Sequence, residues 1–342
     1  VRAMVQSRFG GPEVLELQDL PTPVPGPGEV TLRVRAVSVN PTLDFAVRAG
    51  SYAKPVDLPH ILGVDPSGTI EAVGEGVEGF APGDRVATTP WVRKGSKATA
   101  SKMLGVQAWG GCAEVVRIRA EQAHHLPKNV GFAEASVILR HAPLGVAMLR
   151  TAAALKPGEH LLVTGPLGGL GNVAIQIGRN LGASVIPVMR GGRQSDWLMA
   201  QGFDPIVLGE NPGDLAQSVL RRTEGRGADV ALETTGDAAL FEGVFASLGR
   251  HGRLITAGGP AAGAAPIDIK RLYLNQLTIK GHTAVTSDDV TEALALAAAN
   301  RIAPRIDHIA PLEDAPEIHR TYERGEMRGR GKVILDPGLP PA

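Results

Sequence analysis

The chain of 342 residues is 43% hydrophobic and 20% charged, which suits a soluble globular protein of two ordinary domains. Lys plus Arg and Asp plus Glu balance at 35 each, so the basic footprint of a nucleic-acid binder is excluded. One cysteine, Cys112, excludes an intrachain disulfide and a cysteine zinc cluster and fits the cytoplasm; no apolar run approaches the roughly 18–20 residues of a membrane span, and no signal-peptide segment opens the sequence.

The first third reads as strands and turns. Val30 to Val39 is rich in β-branched residues and carries Arg33 and Arg35 in alternation, a strand with one wet face. Gly68 to Gly74 is a short strand closed by glycines, Pro82-Gly83-Asp84 is a turn feeding Val86-Ala87, and Ala113 to Ile118 is a further strand. Short strands so spaced predict a small barrel. Near residue 127 the texture changes, and Phe132 to Leu155 reads as Ala- and Leu-rich helix until Pro157-Gly158 breaks it. Strands at His160 to Thr164 and Ser184 to Met189 then alternate with helices at Leu170 to Leu181 and Asp196 to Gly202. Asp229 to Thr234, Arg253 to Ala257 and Leu277 to Lys280 are later strands. Such alternation predicts a doubly wound parallel sheet. Asp288 to Asn300 is a helix that reads as leaving the sheet, and Gly331 to Leu335 is a strand expected to rejoin the first domain.

Between the strand ending at Thr164 and the next helix lies Gly165-Pro166-Leu167-Gly168-Gly169-Leu170-Gly171. Glycines are needed where a turn is too tight for Cβ, where backbone touches a pyrophosphate and where helix meets sheet; the helix N-terminus adds free N–H groups and partial positive charge. Pro166 has no N–H, so donors are expected from Leu167 to Leu170, namely Leu167, Gly168, Gly169 and Leu170. About 20 residues beyond the loop, where an NAD-binding domain carries an acid for the ribose hydroxyls, the sequence reads Met189-Arg190-Gly191-Gly192-Arg193. Arg190 and Arg193 suit the 2′-phosphate of NADP(H), which a carboxylate would repel; the bland alternative is two solvated loop charges.

Further segments follow one order along nearly the whole chain. Val39-Asn40-Pro41-Thr42-Leu43-Asp44 precedes Gly50-Ser51-Tyr52; Gly63-Val64-Asp65 leads to Gly68, Val73-Gly74 and Gly83-Asp84-Arg85-Val86; then come Gly111-Cys112-Ala113-Glu114, Gly158-Glu159, Leu162, Gly168-Gly169, Gly171, Gln176 and Arg179. In these the chain resembles the medium-chain dehydrogenase/reductases, and within them the zinc-independent quinone oxidoreductases. The resemblance implies an α/β chain of two domains: a GroES-like β-barrel catalytic domain from residues 1–126 and 284–342, and a Rossmann domain from 127–283, with the active site in the cleft between them.

The alcohol-dehydrogenase branch places a Cys near Asn40 and Gly-His-Glu near Gly63-Val64-Asp65. Catalytic zinc takes about three Cys, His or carboxylate ligands, and neither Asn40 nor Val64 supplies one. The four-cysteine lobe of that branch is absent too: 88–110 is a Lys- and Ser-bearing loop with Trp91 and Trp109. Cys112 reads as a small buried strand residue, and His124-His125 as a surface pair between domains. Without zinc no strong Lewis acid polarises an alcohol or simple ketone, and conjugate reduction of an enone or quinone is the reaction expected.

Tyr52 stands where the resembled family places an active-site Tyr, to hydrogen-bond the substrate carbonyl or relay a proton; a packed loop Tyr is the competing reading. Asn40 is expected near the nicotinamide, or else turns the chain before Pro41, and Asp44 is expected to cap the helical turn that follows. Thr234-Thr235-Gly236 and Ala257-Gly258-Gly259 end two strands at the carboxyl edge and are assigned to adenine-ribose and nicotinamide contacts. His282-Thr283 is expected to flank the nicotinamide. Arg330 and Lys332 reach the cofactor or are solvated charges. Gly145, where the family has Thr, opens space beside the nicotinamide ribose; Arg140 and His141 face the cleft or are satisfied in the core.

Two other functions remain open: an enoyl-thioester reductase, with Arg93, Lys94, Lys97 and Lys102 as a basic rim, and an NADPH-binding protein with little turnover. A homodimer is expected through the edge strand Leu277 to Lys280.

Overall fold

The computed structural model describes residues 1–91, 93–94, 97–98, 102–192, 194–209, 214–257 and 264–340. Arg193, Gly258 and Gly259, and the side chains of Arg93, Lys94 and Lys97, lie outside the described residues. The chain divides into two compact units, Val1–Arg140 with Pro304–Ala342, and His141–Ala303.

The first unit is built on antiparallel strands. Arg2–Gln6 pairs with Leu15–Asp19 and His60–Ile61. A larger sheet runs from Ala123–His125 through Arg85–Thr88, Ser67–Val73 and Glu29–Ser38 to Lys332–Asp336 and Ile306–Pro311, with Val115–Arg119 also on Glu29–Ser38. Arg33 and Arg35 mark the exposed face of Glu29–Ser38, while Val30, Leu32, Val34 and Val37 enter a core shared with Ile70, Val86 and Ile118. The C-terminal strand pairs with Glu29–Ser38, Ile334 opposite Ser38 and Leu335 opposite Val37. It therefore rejoins the first unit, as its apolar run suggested.

The second unit is a six-stranded parallel sheet. In chain order the strands are His160–Thr164, Ser184–Arg190, Ile206–Leu208, Ala228–Glu233, Leu248–Thr256 and Thr278–Gly281. In space the third, second and first are followed by the fourth, fifth and sixth. This is the doubly wound Rossmann arrangement, and the order reverses between the first strand and the fourth, where open α/β sheets bind ligands. The barrel and Rossmann class read from the sequence is the fold observed.

Two differences concern the helices. Ser287–Ala298 stays with the second unit instead of leaving it. Val290, Ala293 and Ala297 are buried, Glu292 pairs with Arg150, and the following turn is tied to the Gly169–Asn180 helix by Gln176 and Asn180. Phe132–Ala152 is one continuous helical stretch whose end, Ala147–Ala152, is π-wound. Its 21 residues are long and apolar enough to cross a membrane, contrary to the expectation that no run approaches that length, but 67% of the window is buried inside the protein. Burial on that scale explains the apolarity as core packing, and Arg140, His141 and Arg150 interrupt the run in sequence.

Candidate functional site

The loop after His160–Thr164 turns at Gly165, whose φ of +61° is left-handed and whose missing Cβ would meet Thr234 Oγ1 at 2.8 Å. A Cβ on Gly171 would overlap the Gly165 carbonyl, so both glycines keep the loop against the strand ends. The helix Gly169–Asn180 is capped at Gly168, and its first internal hydrogen bond runs from Asn172 N to Gly168 O (2.8 Å). The N–H groups of Gly169, Leu170 and Gly171 thus open the helix without partners inside it. Gly168 departs from expectation: its N–H donates to Gly165 O (3.0 Å) and closes the turn. Gly169 has a separate steric reason, because a Cβ there would strike the ring of His141.

Sequence reading missed Glu233. Buried at the end of its strand, it gathers donors from that strand end and from the two beside it. Oε1 accepts from Thr235 N (2.7 Å), Thr235 Oγ1 (2.5 Å), Gly236 N (3.0 Å) and Thr164 Oγ1 (3.4 Å), and Oε2 accepts from Thr256 Oγ1 (3.1 Å). One carboxylate therefore fixes Thr234-Thr235-Gly236 at the point where the strand order reverses. Thr234 Oγ1 donates to Thr164 O (2.8 Å). On the adjoining strands, Ala257 N donates to Glu233 O (3.2 Å) and His282 N to Thr256 O (3.1 Å). Thr283 is exposed beside His282, whose Nε2 is buried with no partner among the described residues.

Arg190 ends the second strand half-exposed, 2.8 Å from Asp237. Asp237 caps the helix Ala238–Ala246 by accepting from Leu240 N (3.0 Å). Its pKa is lowered, first by that backbone N–H and then by the guanidinium. Arg190 is thus a held cation and not a free loop charge. A Cβ on Gly145 would stand 3.1 Å from Ile177 Cδ1 and in ordinary contact with Val173 and Leu170, so this position packs against the following helix.

The first unit holds a buried polar network. Asp65 accepts from Ser38 N (2.8 Å), Ser38 Oγ (2.5 Å) and Asn40 Nδ2 (2.9 Å). Lys332 Nζ donates to Asn40 Oδ1 (2.6 Å) and Val39 O (2.9 Å). Asp44 accepts from Asn40 N (2.7 Å), reaching back from the helix Pro41–Arg48 to its start. Burial raises Asp44 to about 7 and lowers Lys332 to about 8. Lys332 is 9% exposed, which corrects its reading as a solvated or cofactor-reaching charge. Asn40 is corrected too: its carboxamide is engaged inside the unit by Lys332, Asp65 and Ser38, so it is no free polar contact for a nicotinamide.

Tyr52 is half-buried against the core, its N–H bonded to Ala46 O (3.1 Å), and its phenol has no hydrogen-bond partner among the described residues. Arg330 is exposed and bonds Asp307 (3.1 Å). His124 and His125 are held within the first unit, His124 by Thr89 Oγ1 (3.1 Å) and His125 by Gly79 O (2.8 Å) and the ring of Phe80. Cys112 is buried, and burial pushes its thiol well up, which keeps it protonated.

Zinc does not fit the residues at Asn40 and 63–65. The Asn40 carboxamide and the Asp65 carboxylate are engaged by each other, by Ser38 and by Lys332, and Val64 is apolar and buried. Among the described residues no group of three His, Cys, Asp or Glu is disposed to hold a metal ion. A dinucleotide does fit the second unit, where free helix N–H groups face a turn that admits no Cβ.

Comparison with known proteins agrees with both units. Residues 26–128 match the family model described as alcohol dehydrogenase GroES-like domain, and 169–299 that described as zinc-binding dehydrogenase. A quinone oxidoreductase of Lama guanicoe is 31% identical over 345 residues, covering 98% of this chain and 97% of its own. Among solved structures, an NAD-dependent alcohol dehydrogenase is 35% identical with a TM-score of 0.89, covering 99% of this chain and 100% of its own. A mycobacterial protein solved in complex with NADPH is 26% identical with a TM-score of 0.79, covering 98% and 99%.

Proposed function

Since the chain belongs to the medium-chain dehydrogenase/reductase superfamily, a family of oxidoreductases, we propose that it is a zinc-free, NADP(H)-dependent reductase of enones or quinones. What carries this reading is the coexistence of a nucleotide cradle in one unit with a closed hydrogen-bond network in the other, at the residues that would otherwise ligate a metal.

The N–H groups of Gly169, Leu170 and Gly171 receive the pyrophosphate. Thr234 to Gly236, fixed from below by Glu233, line the adenine-ribose, and Ala257, His282 and Thr283 flank the nicotinamide. Arg190 pairs with the 2′-phosphate. When bound, the reduced nicotinamide supplies a hydride. The protein's part is to align the enone, exclude water and meet the negative charge that develops on its oxygen. We assign the donor to that oxygen to Tyr52, whose phenol has no hydrogen-bond partner among the described residues.

The test is oxidation of NADPH by purified protein with a panel of quinones, 2-enones, enoyl-thioesters, simple ketones and aldehydes, before and after chelation. Turnover of enones or quinones that survives chelation is expected. Turnover confined to simple ketones or aldehydes and abolished by chelation overturns the reading.

One observation favours a second cofactor. Asp237 neutralises part of Arg190's charge, which weakens discrimination against NAD(H).

We also propose a homodimer. Among the described residues the strand Thr278–Gly281 is one of the two edges of its sheet, and the helix Ile269–Leu274 that precedes it in sequence exposes Ile269 by 75%, Tyr273 by 77% and Leu274 by 57%. A second copy, pairing edge to edge, covers both the open ladder and the apolar patch.

A further inference from the structure

Asn40 caps the helix Pro41–Arg48 without bonding any N–H of its first turn through its side chain. An Asn at this position ordinarily does so. Here the carboxamide is turned inward. An ammonium can only donate and a carboxylate can only accept, so Lys332 fixes the carbonyl end of the amide and Asp65 the amino end. Lys332 also bonds Val39 O, while Val39 N donates to Val333 O (3.0 Å), so the C-terminal strand grips this turn by backbone and side chain together.

The turn leads to Tyr52 without slack. Helix Pro41–Arg48 begins at Asn40, and at its far end Ser51 N and Tyr52 N both donate to Ala46 O (2.9 and 3.1 Å). Arg48 holds the last turn through Gly10 O (3.1 Å), His319 Nδ1 (2.9 Å) and Glu323. The helix is pinned at both ends, and the pin at its start is a buried lysine brought from the far end of the chain.

We propose that Lys332 is a positioning residue for the reaction: its buried ammonium orients the Asn40 carboxamide and thereby sets the helix that presents Tyr52. The kinetic consequence rests on the function proposed above, whereas the structural one does not.

The test compares the full-length parent with Lys332→Met, Asn40→Ala and the double variant. Amide hydrogen exchange is read across the chain, together with NADPH affinity and enone kinetics. In each single variant, exchange is expected to quicken across 41–52 while the second unit keeps its protection. The specificity constant, kcat/KM, for an enone falls about tenfold to a hundredfold, with NADPH affinity changed by less than about twofold. The double variant is expected to be no worse than the poorer single variant, because both remove one coupling. Unchanged exchange across 41–52, protection lost throughout the chain, or losses that add in the double variant would each overturn the proposal. If Lys332→Met does not fold, exchange in Asn40→Ala decides the matter. If the parent turns over no enone, the proposed function fails, and exchange alone decides whether Lys332 sets the helix.

Discussion

The guanidinium of Arg190 lies 2.8 Å from the carboxylate of Asp237, which also caps the helix Ala238–Ala246. A 2′-phosphate arriving at Arg190 competes with that carboxylate. Asp237→Asn keeps a good cap and removes the competing charge, so NADPH affinity is expected to rise relative to NADH. Arg190→Ala is expected to weaken NADPH by about tenfold to a hundredfold, the worth of a charge-assisted hydrogen bond, and to leave NADH almost unchanged. Titration of nicotinamide fluorescence with both nucleotides measures each effect; equal losses for the two would remove Arg190 from phosphate recognition.

Gly165 sits at a left-handed φ against Thr234, and Gly171 sits on the Gly165 carbonyl. Gly165→Ala is expected to cost about 1–2 kcal/mol in stability through its backbone conformation alone. Gly171→Ala forces the helix off the loop and is expected to abolish nucleotide binding while the first unit stays folded. Calorimetry with and without nucleotide separates the two; full affinity in Gly171→Ala would contradict the cradle.

Glu233 accepts from Thr235, Gly236, Thr164 and Thr256. Glu233→Ala leaves these buried donors without their acceptor and is expected to cost about 2–4 kcal/mol, read as a lower urea midpoint. Nucleotide affinity falls with it, because Thr234 to Gly236 lose their anchor. A variant of parental stability and affinity would show that the carboxylate is dispensable.

The buried network sets a pH dependence. Burial raises the Asp44 carboxyl from 3.8 to about 7, with Asp65, Lys332 and Arg140 as its charged neighbours. A raised folded-state pKa favours the protonated form, so this contribution to stability is complete below about pH 4 and is lost as pH rises through 7. Lys332 runs the other way: lowered from 10.5 to about 8, its contribution is complete above about pH 10.5 and is lost as pH falls through 8. Asp44→Asn keeps an acceptor for Asn40 N–H and cannot ionise. Its stability relative to the parent is expected to climb between about pH 4 and 7 and then level off. Urea unfolding across that range checks it, and a flat difference would contradict the burial of a titrating carboxyl.

The nucleotide cradle was legible because its requirements are local. Strand, glycine turn and helix follow one another within 160–180, and the order of these three pieces is written in consecutive residues, although the contacts that require Gly165 and Gly169 come from Thr234 and His141. The polar anchors were not legible for the opposite reason. Lys332 reads as a charge at the mouth of a strand, yet its partner Asn40 is 292 residues distant. Glu233 closes an apolar run as any edge residue would, and its burial arises only because the ends of three strands converge on it. The surroundings of Gly145 were not legible either, because whether a missing side chain opens space depends on neighbours such as Ile177, 32 residues on, whose Cδ1 lies 3.1 Å from where a Cβ would stand. The unit to which the helix Ser287–Ala298 belongs is not legible because its Ala/Leu pattern states that one face is buried, not against which unit.

The most direct test is titration of the purified protein with NADPH and NADH, followed by nicotinamide fluorescence and repeated with Gly171→Ala. Saturable, stoichiometric binding of NADPH, tighter than NADH and lost in the variant, is the expected result. Failure of both nucleotides to bind the parent, or equal binding to parent and variant, would contradict a dinucleotide seated at the reversal of the parallel sheet.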